Sequence, residues 1–136
     1  MSLLREMLRF GVVGAIGFAV DGGFLWALVS GGVDALLARG ASFPVAVITT
    51  WWLNRTWTFA GAEKSRPHRQ FNMYFAVQLM GALSNFVVYA AVLGVIEPTP
   101  LNALGALAVG SFFGMFVNFA GSRLFIFKRI EHSKFR

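Results

Sequence analysis

Arg55 and Arg123 occupy matching points of two long apolar runs. The first run closes on Trp51-Trp52-Leu53-Asn54-Arg55-Thr56-Trp57-Thr58-Phe59 and the second on Phe119-Ala120-Gly121-Ser122-Arg123-Leu124-Phe125-Ile126-Phe127. An offset of 68 lays Thr50 on Asn118, Asn54 on Ser122, Arg55 on Arg123, Trp57 on Phe125 and Phe59 on Phe127. A guanidinium presents a planar fork of donors that grips a phosphate or carboxylate with two parallel hydrogen bonds, which an ammonium does not. Inside hydrocarbon such a charge is costly unless it has a partner. The bland alternative is an end-of-helix arginine snorkelling to headgroups. The duplication, with a polar residue one turn back each time (Trp51 and Phe119 flanking Thr50 and Asn118), favours a specific anion contact.

A second pair of stripes carries the other polar groups. Gly14, Gly17 and Asp21 share a helical face, and at an offset of 64 they meet Gln78, Gly81 and Asn85. Asp21 lies about 16 Å past Phe10 by helix rise, near the midplane of a span, and is the one acid inside any run. It reads either as a proton carrier or ion-pair partner, or as helix glue hydrogen-bonded to Asn85 or a neighbouring hydroxyl.

These residues need helices to hold them. Of the 136 residues 57% are hydrophobic and 13% charged, which excludes a soluble domain. Four runs, Phe10–Ser30, Phe43–Phe59, Phe71–Ile96 and Leu101–Phe127, are long enough to cross about 30 Å of hydrocarbon. The first is too long for a signal-peptide core. The expected fold is an all-α membrane protein: four transmembrane helices forming two helical hairpins, about 9–60 and 71–128, within one domain spanning 1–136. Both hairpins start on the same side, which makes a parallel repeat. Of the 12 Lys and Arg, 11 fall on one side and only Arg39 on the other, so both termini and the middle loop are expected in the cytoplasm. The net charge of +6 is then a topology signal and an attraction to anionic lipid, and a nucleic-acid partner is not expected.

Local signals place the boundaries. Residues 1–9 read as a short interfacial helix or a frayed helix start. Gly31-Gly32-Val33-Asp34 makes a turn, and Ser42 followed by Pro44 predicts a helix start. Gly61–Gln70 is the polar loop between the halves. Glu97-Pro98-Thr99-Pro100 makes the second turn, with Thr99 as N-cap, and the tail 128–136 is basic. Ala106, Gly110, Gly114 and Asn118 recur at four-residue spacing, a pattern for close helix packing within or between monomers. Trp52 fits an interfacial aromatic belt, while Trp57 fits either a belt or a flank for a sugar or isoprenoid.

Enzyme constellations are missing from the pattern. His68 and His132 lie far apart in basic segments, and there are neither clustered metal ligands nor a phosphate-binding glycine loop. No carboxylate pair suits glycoside chemistry. There is no cysteine. No cofactor is expected.

Arg9-Phe10-x-x-Val13-Gly14 with Asp21 resembles the opening of the GtrA-like family. Asn54-Arg55-x-Trp57-Thr58-Phe59 and Asn118-Phe119-x-x-x-Arg123-x-Phe125-x-Phe127 resemble its two later motifs, so the resemblance runs from about Arg5 to Lys128. It departs at Thr50, where the second half has Asn118, which implies an asymmetric polar site. That family is similar to the membrane domains of some polyprenyl-phosphate glycosyltransferases. The resemblance implies a non-enzymatic, multi-pass protein of the cytoplasmic (inner) membrane that serves cell-surface polysaccharide synthesis. It would bind a polyprenyl-phosphate-linked monosaccharide and carry it across the bilayer. Carried over by motif, Asp21, Asn54, Arg55, Asn118 and Arg123 are expected substrate-binding residues, and the polar stripe of the third run adds Gln78 and Asn85. A glycosyltransferase and further copies of the chain are the expected protein partners.

Two other classes compete. A non-transporting anchor that recruits a glycosyltransferase would use the polar stripes as helix glue. A small multidrug exporter would use the acid in the first helix, but the two arginines speak against a cation pathway.

Overall fold

The computed structural model describes residues 2–97 and 99–128. Pro98 of the second turn, His132 and the basic tail 129–136 lie outside the described residues. Four long helices account for most of the rest: α1 (Leu3–Ser30), α2 (Ala35–Leu53), α3 (Pro67–Leu93) and α4 (Pro100–Gly121). A single π-helical turn continues α2 over Asn54–Thr58, and another continues α4 over Ser122–Ile126. Among the described residues there is no extended strand.

Leu3–Ser30, Pro67–Leu93 and Leu101–Ile126 are long and apolar enough to cross a membrane. The 19-residue α2 carries Arg39 and Pro44 and is not among them, so length and composition support three or four spanning helices. The outward faces agree with a lipid surrounding. Phe18, Trp26, Met80, Leu83, Phe86 and Leu101 are all more than 60% exposed. A soluble monomer rarely exposes contiguous apolar surface on this scale.

The described residues divide into two compact units, 2–67 and 68–128. The first holds the hairpin α1–α2 with its π turn. Ser2 caps α1, its hydroxyl accepting from the Arg5 N–H, and the helix then runs unbroken to Ser30. Residues 3–9 therefore form the first turns of α1, running into the span, and are not a frayed start. At 28 residues α1 is about 42 Å long, so it extends beyond the hydrocarbon or tilts within it.

The start of α2 corrects the expectation from Ser42 and Pro44. Asp34 accepts from the Leu37 N–H at 3.2 Å and its carbonyl from the Ala38 N–H at 2.8 Å, so the helix begins two turns earlier and Pro44 lies inside it. A proline there removes the N–H that would reach the Gly40 carbonyl. In the same turn the buried Ser42 hydroxyl donates to the Arg39 carbonyl at 3.4 Å. Arg39 thereby becomes a helical residue rather than a loop residue.

The second unit holds α3, α4 and the second π turn. Thr99 caps α4 as expected, its hydroxyl accepting from the Asn102 N–H, with Pro100 in the first turn. Helix α3 begins at Pro67, inside the segment read as the middle loop, and His68 lies exposed in its first turn. The stripe of small residues packs this hairpin from within. Gly110 lies against the Asn85 carbonyl, Gly114 against the Gly81 carbonyl and Gly121 against Val77, while Ala106 is buried.

Candidate functional site

Each hairpin has a turn end and an open end, and the π turns lie at the open ends. In the first, the Phe59 N–H donates to the Asn54 carbonyl at 2.8 Å. In the second, the Phe127 N–H donates to the Ser122 carbonyl at the same distance. In an α-helix a residue five positions on points about 140° away. The wider turn brings it back beneath its partner. Phe59 and Phe127 thus return to the buried face, each above a ring of the preceding helix. Phe10 and Phe59 have ring centroids 6.3 Å apart, and Tyr74 and Phe127 6.2 Å. These pairs are equivalent under the two sequence offsets.

The same equivalence holds deeper in each hairpin. The Thr50 methyl lies over Gly17, and the Asn118 amide lies over Gly81. The hairpins are therefore duplicated in geometry as well as in sequence. The offset changes from 64 to 68 because the second hairpin is longer around its turn end. Helix α1 stops at Ser30 and α2 starts at Ala35, whereas α3 stops at Leu93 and α4 starts at Pro100.

Arg55 and Arg123 occupy the second position of their π turns. Each is half-buried, directly after a fully buried polar residue, Asn54 or Ser122, and before two exposed residues. Single π turns in long helices concentrate at functional sites. Arg55 donates from Nη1 to the Ser65 carbonyl at 3.2 Å, and its Cζ lies 5.7 Å from the Trp51 ring centre. Arg9 adds a second guanidinium at the open end of the first hairpin. It donates to the Trp57 carbonyl at 3.1 Å and lies 5.0 Å from the centre of that ring. In the sequence Arg9 stands in the opening motif and on the basic side, with no sign of its contact to Trp57. Trp57, beneath Arg9, is 39% exposed.

The remaining predicted residues fall into pairs within their own units. Asn118 donates from Nδ2 to Gln78 Oε1 at 3.2 Å, and Asn85 donates from Nδ2 to Ser111 Oγ at 3.4 Å. Asp21 finds its partner within the first hairpin. Its Oδ2 accepts from Arg39 Nη1. Asp21 and Arg39 thus form an ion pair between α1 and α2. Arg39, which the sequence marked only as the lone basic residue on its side, escaped notice as a partner because Pro44 pointed to a later helix start. Ser111 was missed because a lone serine in an apolar run gives no signal. The structure thus joins Gln78 with Asn118, seats Asn54 beside Arg55 on one π turn and Arg123 on the other, and gives Asp21 and Asn85 separate partners.

Over residues 9–127 the chain matches the family described as GtrA/DPMS, transmembrane domain. It belongs to that family. Domains of this family are typically non-catalytic. The chain is also similar to a dolichol-phosphate mannosyltransferase of Pyrococcus furiosus, with 28% identity over 86 residues. That similarity takes in 63% of this chain but 24% of the archaeal protein, so the chain spans about a quarter of that relative's length. The family assignment and the long apolar helices support a multi-pass membrane protein.

Proposed function

We propose that this protein binds a polyprenyl-phosphate-linked monosaccharide and moves it across the inner (cytoplasmic) membrane for cell-surface polysaccharide synthesis. The observation that carries the reading is the paired π turn. Each hairpin sets one arginine, Arg55 or Arg123, at its open end on the shoulder between buried and lipid-facing surface. A phosphate at the headgroup boundary is the anion such a fork meets there. Arg55 now holds a neutral carbonyl, that of Ser65, and a charge-assisted bond to phosphate is stronger than that contact. All four helices span in this reading, with the open ends and the 59–66 loop in the cytoplasm, where 11 of the 12 Lys and Arg then lie.

The paired polar groups inside the hairpins serve the sugar. Gln78, Asn118, Asn85 and Asp21 hold one another or their neighbours at rest, and can exchange those bonds for sugar hydroxyls. The isoprenoid tail stays in lipid against the exposed aromatic faces. A glycosyltransferase that makes or uses the sugar lipid is the fitting partner.

The test is transport by the purified full chain in proteoliposomes carrying a short-chain fluorescent polyprenyl-phosphate sugar. Faster loss of inner-leaflet probe than in protein-free vesicles is expected. Protein-free rates at every protein density, with lipid binding intact, would leave a binding anchor in place of a carrier.

A further inference from the structure

Helix α2 presents an arginine near each end. Arg55 lies two positions past its last residue, and Arg39 lies in its second turn, 16 positions earlier by number and about 24 Å away along the axis. That separation approaches the thickness of the hydrocarbon layer, about 30 Å. The equivalent position of the second hairpin is Leu107, half-exposed and apolar, so only the first hairpin has this arrangement.

The ion pair at Arg39 is built unevenly. The Asp21 side chain is 14% exposed and the Arg39 side chain 52%. One nitrogen, Nη1, meets one oxygen, Oδ2, while the buried Oδ1 has no hydrogen-bond partner among the described residues. A carboxylate that locks two helices together uses both oxygens against the fork. Here the contact is single, and among the described residues no second acceptor engages the guanidinium. The Phe43 ring, its centre 5.8 Å from Cζ, flanks the guanidinium, whose outer portion is exposed. The same hairpin exposes Phe18, Trp26 and Leu37 by 70% or more. An anion with a hydrocarbon chain suits this combination better than a small soluble one.

We propose that Arg39 is a further phosphate-binding residue, at the turn end of the first hairpin, and that Asp21 occupies it until a polyprenyl phosphate displaces the carboxylate. This rests on the proposed transport reading and adds the station where the phosphate arrives. Asp21 neutralises the cation while the site is empty, since an uncompensated charge at this depth is strongly unfavourable. It also competes with the phosphate, because displacement strips Asp21 of its partner. The hold at this end is therefore weak, which favours release over trapping.

The experiment measures affinity of the full chain in phosphatidylcholine nanodiscs for a short-chain polyprenyl phosphate. Wild type, Asp21→Asn, Asp21→Asn/Arg39→Gln, Arg55→Ala and Arg123→Ala are compared, with inorganic phosphate as a second probe and melting temperature as the check on folding. The double variant keeps a neutral side chain at each position, so neither charge is left unpaired. Removing the competitor in Asp21→Asn tightens lipid-phosphate binding about fivefold, the scale of a modest ion pair. The double variant loses that gain, and inorganic phosphate shows none. Asp21→Asn affinity equal to wild type, or a gain that survives in the double variant, overturns the site. An equal gain for inorganic phosphate overturns its assignment to the lipid. If Arg55→Ala and Arg123→Ala still weaken binding while Asp21→Asn changes nothing, this inference fails alone. If they too are silent, the transport reading fails with it.

Discussion

Gly114 lies against the backbone of Gly81, so close that a methyl group added to Gly114 would come within 2.8 Å of the Gly81 carbonyl oxygen. Backbone cannot yield as a side-chain end can, so α3 and α4 must separate to admit it. Gly114→Ala is expected to destabilise the protein by about 1–3 kcal/mol, the usual cost of overpacking. Gly105→Ala is the control, because nothing lies within 4 Å of its added methyl and alanine favours the helix. Unfolding in mixed detergent micelles should separate the two variants. Equal stability would mean that the hairpin is held by something other than this glycine stripe.

The orientation prediction follows from charge and is sharpened by the structure. The chain has no cysteine, so single thiols report cleanly. Asp34 caps α2 and should be left alone, and Gly32 has a φ of +92°, which other residues resist. Val33, exposed beside them, is the better turn-end site, and Ser65 marks the loop at the open end. Val33→Cys should react with an impermeant maleimide on intact cells, and Ser65→Cys only after lysis. The reverse pattern would invert the topology.

The repeat was legible because it is written in side chains. The offsets of 64 and 68 found Gly17 with Gly81, Phe10 with Tyr74 and Phe59 with Phe127, and the structure places all of them in equivalent contacts. Thr99 was legible as a cap for a similar reason, since its hydroxyl does a local job. The π turns were not, because they are a change of hydrogen-bond register that needs no special residue. The Asp21–Arg39 pair was hidden by a misplaced helix start. Pro44 is a strong helix-start signal, and the weaker cap at Asp34 prevailed because Pro44 costs one hydrogen bond while the extra two turns bury Ala38 and Ser42 completely.

At the open ends the chemistry is a matter of fork geometry. Arg55→Ala and Arg123→Ala should each weaken binding of a polyprenyl-phosphate sugar, by about tenfold if one charge-assisted pair is lost. Arg→Lys should recover only part of this, because a lysine keeps the charge and loses the two-pronged grip. Titration of the fluorescent lipid into nanodiscs holding each variant provides the measurement. Full recovery by lysine at both positions would reduce the arginines to charges that anchor in headgroups.

The polar pair of the second hairpin allows glue and site to be told apart. Asn118 bonds Gln78, and the equivalents of these two in the first hairpin are Thr50, packed over Gly17, and Gly14, which has no side chain to bond. Asn118→Thr should therefore fit over Gly81 as Thr50 fits over Gly17. Alone it leaves the Gln78 amide without its partner, a loss of about 0.6 kcal/mol on the scale of membrane hydrogen bonds. Adding Gln78→Ala removes the stranded amide, so the double variant should melt close to wild type. If the pair only glues α3 to α4, transport should return with stability. If the pair exchanges its bond for sugar hydroxyls, the double variant should stay folded and bind polyprenyl phosphate normally, yet lose most of its preference for the sugar-bearing lipid. We expect the second outcome. Comparing affinity for the lipid with and without its sugar, in the same nanodiscs, decides it, and an unchanged preference would make Gln78 and Asn118 structural.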